Sequence, residues 1–164
     1  MPSLSKSVWT DDDFDVMGWH DNSVHAWGWE PWDPDRPGEN VLVLDLDYIV
    51  EWVHPTEAGG VFSFWICPAT LVFANATDLK FDLEEQGGIA MEIDTITWTP
   101  EAAPSGASGY RKWAIEGHNF TFEFSGRGFE QYLRRPPVHA GSQSLSLAER
   151  GGLSFDRRGF AAIP

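Results

Sequence analysis

Two short segments of this chain place groups that can do chemistry inside sequence that otherwise predicts buried β-structure. The first is Trp-His-Asp-Asn at residues 19–22, with a further histidine at position 25. The second is Leu-Asp-Leu-Asp-Tyr-Ile at residues 44–49. Imidazole and carboxylate groups together can bind zinc, iron or manganese, or exchange protons with a substrate. These two signatures therefore hold the first candidate functional residues.

The first signature allows three interpretations. In an extended segment, Asp21 and His25 project to one side and His20 to the other. A typical metal site needs three or four convergent ligands, and this spacing alone does not bring three together. A structural turn, in which Asp21 or Asn22 caps the turn and His20 hydrogen-bonds to backbone, is one interpretation. A metal site or a catalytic site built on His20, Asp21 and His25 are the other two.

The second signature places Asp45 and Asp47 on one face of a strand, about 6–7 Å apart by the strand rise. Such a pair can serve as general acid and base or bind a divalent cation, but a solvated or partner-facing strand also shows it. A third interpretation pairs one of these carboxylates with His20 or His25 on the preceding strand. Because segments joined by a short loop usually pair, we expect His20, Asp21, Asp45 and Asp47 to lie close together.

The elements that must position these residues are strands, since apolar side chains alternate along much of the chain. The clearest strand covers residues 41–53, and further strands are predicted at residues 23–29, 78–83, 89–98, 110–116 and 120–124. Residues 61–67 and 69–74, on either side of Pro68, count as one more, and residues 129–135 add an eighth. Pro68 predicts a bulge or an edge position, and a phase shift near residues 94–95 predicts another bulge. Short helices are expected after Thr10 and over residues 144–150. The predicted inward side chains include Leu44, Leu46, Trp52, Phe64, Phe73, Phe81, Phe122 and Phe124.

This pattern predicts an all-β fold, or a β-rich fold with one or two short helices. About seven or eight strands with short turns favour an antiparallel sandwich or a partly open barrel. The length of 164 residues fits one domain, which we place at residues 1–150, followed by a weakly ordered C-terminal tail at residues 151–164.

The charge is strongly negative and unevenly distributed. The formal net charge is -14, with 13 acidic and 2 basic residues in residues 1–60, but 6 acidic and 8 basic residues in residues 101–164. Nucleic acid and anionic membrane surfaces are therefore excluded as partners, whereas a basic protein is favoured and solubility alone is the simpler explanation. The basic C-terminal region could fold back and neutralise part of the acidic region.

Other features bound the class of protein. Cys67 is the only cysteine and lies in an apolar strand, so it forms no intrachain disulfide or thiolate zinc site. The first ten residues lack the apolar stretch of a signal peptide, and no run approaches the ~18 apolar residues of a membrane span. A cytoplasmic location is expected. The 9 tryptophans indicate either a large aromatic core or an exposed platform for a sugar or other small ligand.

The two signatures resemble a family of small, uncharacterised bacterial β-rich proteins known only as a domain of unknown function. The resemblance covers residues 10–150 and implies a compact β-rich domain with no catalytic assignment. It is carried by residues 19–22 with His25, residues 45–49 with Glu51 and Trp52, residues 68–73 with Asn75, and residues 78–79.

We expect a non-enzymatic interaction module whose acidic strand face binds a basic protein, as an inhibitor or immunity-type partner does. No catalytic residue, metal ligand or cofactor is assigned. The alternatives are a metal-dependent enzyme that uses the first signature with help from the two aspartates, and a carbohydrate or small-ligand binder that uses exposed tryptophans. The candidate binding residues are His20, Asp21, Asn22, His25, Asp45, Asp47, Glu51, Trp29 and Trp32.

Overall fold

The computed structural model describes residues 1–30, 33–35, 39–85, 87–102, 106 and 108–161. In these residues the elements are β1 (Val8–Thr10), a 3-10 helix (Asp11–Val16), β2 (Asn22–Glu30), β3 (Val41–Val53), β4 (Ser63–Ala74), β5 (Thr77–Leu83), β6 (Met91–Pro100), β7 (Arg111–Gly117), β8 (Phe120–Gly126), β9 (Phe129–Leu133), β10 (Val138–Ala140) and α1 (Leu147–Arg150). Neither helix in this part of the chain is long and apolar enough to cross a membrane.

The prediction of a β-rich antiparallel fold with two short helices is confirmed, but the predicted number of strands was too low. The described residues contain ten strands, whereas seven or eight were expected. β1 and β10 were missed because each has only three residues, too few for an alternating pattern to be recognised.

The strands form one open sheet in the order β1-β9-β4-β3-β2-β6-β7-β8-β5, and β10 also pairs with β4. Residues 64–66 of β4 pair with β10, and residues 69–73 pair with β9. Pro68 lies between these two pairings, at a local edge of the sheet. Proline has no N–H to donate, and neither pairing requires one at this position. The predicted bulge near residues 94–95 is confirmed by a register shift between Ile93 and Thr95.

The inner face of the curved sheet encloses the main hydrophobic core. Phe73 of β4 lies 5.1 Å from Trp113 of β7 and 4.9 Å from Phe124 of β8, measured between ring centroids. Neither β7 nor β8 is a neighbour of β4 in the sheet, so curvature brings these rings together across the core. The aromatic content therefore supplies much of the buried apolar area that stabilises the domain.

Most of the predicted inward residues are confirmed, namely Leu44, Leu46, Phe73, Phe122 and Phe124. Trp52 is a correction, because a bulge between Ile49 and Glu51 reverses the phase of β3 and leaves Trp52 38% exposed. Phe64 is buried with Ile49 in a separate cluster, apart from the main core. Phe81 is half-buried and packs at the margin of the core.

The outer face of β3 and β4 is covered by the segment that follows β10. We call residues 143–161 the C-terminal strap. Leu145 packs against Ile49 and Phe64, and the Phe160 N–H donates a 2.8 Å hydrogen bond to the Leu133 carbonyl. The sequence predicted a weakly ordered tail at residues 151–164. The described part of that tail, through residue 161, makes contacts with the sheet, residues 162–164 lie outside the described residues, and the weak order of the tail stays a prediction.

Candidate functional site

Both sequence signatures meet the C-terminal strap on the outer face of the sheet. Leu44 and Leu46 of β3 point into the core, so Asp45 and Asp47 point to the opposite face by strand alternation. Both aspartates are fully buried, with 0% exposure. The expectation that they form an exposed acidic strand face is therefore wrong. A buried carboxylate is costly unless it is paired with a cation and hydrogen-bonded, and the strap supplies both.

Arg150 is the central cation, and the short helix α1 holds it in place. Ser146 and Glu149 form a capping box at the helix N-terminus, in which each side chain accepts a hydrogen bond from the other residue's backbone N–H. Gly151 ends the helix in the left-handed conformation at φ 80°. The Arg150 guanidinium donates two hydrogen bonds of 2.7 and 2.8 Å to Asp45. Its Nε also donates a 3.2 Å hydrogen bond to Asp47. One buried arginine therefore connects both aspartates.

Arg134, which follows β9, is the second cation. Its guanidinium donates a 2.7 Å hydrogen bond to Asp45 and another of 2.7 Å to the Thr70 hydroxyl. Arg134 also donates to the Ser154 carbonyl at 2.8 Å, and the Ser154 N–H donates to Asp45 at 2.9 Å. The four charged residues Asp45, Asp47, Arg134 and Arg150 form what we call the ion cluster, which contains equal numbers of each charge.

Asp47 is held mainly by His25 and the beginning of the strap. A bulge in β2 between Val24 and Ala26 allows His25 to reach Asp47 while the valine stays in the core. His25 Nε2 and Asp47 Oδ2 are 2.8 Å apart, and the Leu145 N–H donates to the same oxygen at 2.8 Å. This is the histidine–aspartate pair that one interpretation of the sequence predicted.

Electrostatics favour the charged forms of Asp45, Asp47 and Arg150. Burial alone would raise the pKa of Asp45, but hydrogen bonds from Arg150, the Ser154 N–H and Arg134 outweigh it and hold the pKa below its ordinary value. Burial likewise opposes ionisation of Asp47, and hydrogen bonds from His25 and the Leu145 N–H lower its pKa nonetheless. The pKa of Arg150 is raised, because its contacts with Asp45 outweigh burial.

The ion cluster is suited to holding the strap and not to binding a ligand. Asp45 accepts hydrogen bonds from Arg134, Arg150 and the Ser154 N–H, and Asp47 accepts them from Arg150, His25 and the Leu145 N–H. These donors come from the protein itself and occupy the carboxylate oxygens that a substrate or metal would use. Within the described residues, no group of three or more histidine, cysteine or acidic side chains is arranged to hold a metal ion.

His20 and Asp21 do not join this cluster as predicted. The His20 side chain is 64% exposed and faces Asp94 at 3.6 Å, on the bulge of β6. Asp21, at φ 62°, accepts a 2.8 Å hydrogen bond from Gln143 at the beginning of the strap. His20 Nε2 lies 3.6 Å from Asp21 Oδ1, but Asp21 is joined to the strap by Gln143, whereas His20 lies in an exposed group with Asp94 and His118.

The remaining candidate residues have different environments. Asn22 is buried, and its side-chain oxygen accepts a 3.0 Å hydrogen bond from the Ile49 N–H beside the bulge of β3. Glu51 is exposed on the other side of that bulge. Trp29 is half-buried against the main core, which does not fit an exposed ligand platform, and Trp32 lies outside the described residues.

Sequence reasoning missed Arg134, Arg150 and the backbone donors of Leu145 and Ser154. The signal that could have found the arginines is the mismatch between two acids in a strongly apolar strand and the excess of basic residues in residues 101–164. The suggestion that the basic region folds back onto the acidic region is confirmed by these contacts. Backbone donors leave no such signal, because every residue except proline has an N–H.

Comparison of the chain with protein-family models, with curated proteins and with solved structures gives no match. The site therefore defines only a structural class, a curved antiparallel sheet whose C-terminal strap is fixed by a buried ion cluster. The resemblance to an uncharacterised bacterial family stays a prediction.

Proposed function

We propose that this chain is a non-enzymatic binding module for a basic protein, in the manner of an inhibitor or immunity-type partner. The observation that carries the proposal is the charge left on its surface. The chain has 25 acidic and 11 basic residues. Without the two aspartates and two arginines of the ion cluster, 23 acidic and 9 basic residues remain, which again gives a net charge of -14.

The binding surface in this proposal differs from the strand face suggested by the sequence, because Asp45 and Asp47 are buried. Exposed carboxylates occur instead on several elements around the molecule, including Asp12, Asp15, Glu51, Glu57, Asp82, Glu116 and Glu130. A surface field of this sign attracts cationic partners and speeds their association, and salt screens it.

The metal-dependent enzyme is the weaker candidate. His20 and His25 face different carboxylates, and Asp47 is already engaged by four donor groups. The carbohydrate binder is also weaker, since Trp29 packs against the core.

The experiment is capture of partners by the immobilised protein at low and high salt, followed by purification of each captured protein and reconstitution of the binary complex. We expect a basic partner whose association rate falls steeply as salt increases. As a control, a variant with several exposed acids neutralised should associate more slowly and still melt cooperatively. Failure to reconstitute any complex with a basic protein, or binding that does not respond to salt, would overturn the proposal.

A further inference from the structure

We propose that a groove on the outer face of the sheet receives a lysine or arginine side chain from the basic partner. This inference rests on the proposed function, since it names the place where that partner inserts. The groove has a volume of about 450 Å³ and is lined mainly by Thr10, Asp12, Val72, Ala74, Phe129 and Glu130. Its volume falls within the range of about 300–1,000 Å³ typical of ligand pockets.

Strand register accounts for the position of the groove. Val72 of β4 is paired with Glu130 of β9, and Glu130 is paired with Thr10 of β1. Directly paired residues project to the same face of an antiparallel sheet, so these three side chains form one row across three strands. The 3-10 helix follows Thr10 immediately and places Asp12 at the end of the row.

The C-terminal strap explains why this part of the outer face remains open. Phe155 of the strap lies against β2 and β3, where a Cβ atom on Gly28 would be 3.5 Å from both the Phe155 ring and Val43. Val43 is paired with Val72 of the next strand. The groove therefore begins one strand beyond the contact that Phe155 makes.

The chemistry of the groove fits a long cationic side chain. Val72 and Ala74, two residues apart on β4, supply an apolar floor on which an aliphatic stem can pack. Asp12 and Glu130, both exposed, supply carboxylates at the rim for an ammonium or guanidinium head. An anionic or purely apolar occupant would leave these carboxylates without a counterion.

The rim is held in a fixed position by the protein itself. Asp11, beside Asp12, forms a 2.9 Å ion pair with Arg111 and accepts a 2.8 Å hydrogen bond from the Phe129 N–H. The Tyr132 hydroxyl donates to Glu130 and orients that carboxylate. Because these neighbours are already engaged, the groove loses little conformational freedom when a side chain enters it.

A second copy of this chain is a poor occupant, since two molecules of net charge -14 repel each other. A basic polypeptide gains attraction from the whole surface and local pairing at the rim. Charge complementarity therefore selects the basic partner, and self-association becomes an outcome that the experiment can detect.

The experiment measures binding of a fluorescein-labelled oligolysine peptide to the full chain by fluorescence anisotropy. The groove variant Asp12→Asn/Glu130→Gln is compared with the control variant Asp82→Asn/Glu116→Gln, which neutralises two exposed acids on β5 and β7. Both variants change the net charge equally. We expect the groove variant to bind about 5-fold more weakly than wild type and the control to change much less. Equal weakening in both variants would overturn the groove proposal.

Two further measurements locate the peptide independently of charge. Ala74→Phe fills the groove without changing any charge and should weaken binding, whereas wild-type affinity in this variant would contradict the proposal. In wild type, amide NMR signals of Thr10 and Gly128 should shift on addition of the peptide, and shifts confined to other regions would also contradict the proposal.

Concentration-dependent self-association without peptide would identify a second copy as the occupant. If wild type does not bind oligolysine at all, the proposed function fails together with the groove.

Discussion

Asp45 and Asp47 show how single residues in an apolar strand depend on partners distant in the sequence. Each is fully buried and each receives hydrogen bonds from arginine and from backbone N–H groups. A buried ion pair contributes little compared with a well-packed apolar replacement, but removing one member leaves an uncompensated charge. The ion cluster is therefore sensitive to any change at a single position.

Arg150→Met should lower the free energy of unfolding by about 3–5 kcal/mol, because it leaves Asp45 and Asp47 buried without their shared cation. Arg158→Met is the matched control, since the Arg158 side chain is 85% exposed and pairs with Asp156 at the surface. Urea unfolding of both variants measures the difference. An Arg150→Met protein as stable as the control would show that the strap does not depend on the ion cluster.

Stability should fall in acid because of the same two aspartates. The pKa values of Asp45 and Asp47 are lower in the folded protein than in an unpaired, solvated aspartate. Their contribution is therefore complete above the unfolded-state pKa of about 3.9 and is lost as the pH falls through the folded-state pKa. Unfolding measured as a function of pH should show this loss, and Asp45→Asn/Asp47→Asn should show a shallower dependence. An unchanged slope in that variant would assign the acid sensitivity to other carboxylates.

Individual elements were predictable from the sequence to different degrees. The strand at residues 41–53 was predicted with its observed bounds, because six alternate positions carry large apolar side chains. The exposure of Trp52 was not predictable, since the bulge before Glu51 depends on Asn22 binding the Ile49 N–H from another strand.

The ion cluster was also only partly predictable. Alternation placed both aspartates on one face, but their burial depends on a strap whose own sequence has no strand or long-helix pattern.

Ending the chain after Gly152 should destabilise the domain by at least about 2 kcal/mol. The deletion removes the Ser154 N–H bond to Asp45, and a hydrogen bond to a charged group contributes about 1.5–3 kcal/mol. It also removes the Asp156 carbonyl that accepts from Thr70 at 2.7 Å. A chain ended after Phe160 keeps both contacts and the Phe160 hydrogen bond to Leu133, and is the matched control. If thermal melting shows both shortened chains to be as stable as the full chain, residues 153–161 form a weakly ordered tail, as the sequence suggested.

At the scale of the whole molecule, the curvature of the sheet makes the aromatic core continuous between strands that do not pair. Phe73 contacts rings from β7, β8 and β9, so its side chain connects distant parts of the sheet order. A gap at this position would affect both sides of the core, because closely packed interiors relax only partially around a lost side chain.

Phe73→Ala should lower the free energy of unfolding by about 3–5 kcal/mol through this lost packing. Phe62→Ala is the comparison, because Phe62 is 40% exposed immediately before β4 and its loss should change stability by only about 0.5 kcal/mol. Calorimetry of the two variants distinguishes them. Similar melting of Phe73→Ala and wild type would mean that the sheet does not close over this ring.

The separation of the ion cluster along the chain has a consequence for biosynthesis. Asp45 leaves the ribosome 89 residues before Arg134 and 105 residues before Arg150. At about 5–20 residues per second, the nascent strand carries two carboxylates without their cations for roughly 5–20 s. During that interval the outer face of β3 is uncovered. The nascent chain is therefore open to aggregation through this face until the strap has been synthesised. A translational pause before residue 150 would prolong this exposure, whereas faster synthesis of the last third would shorten it.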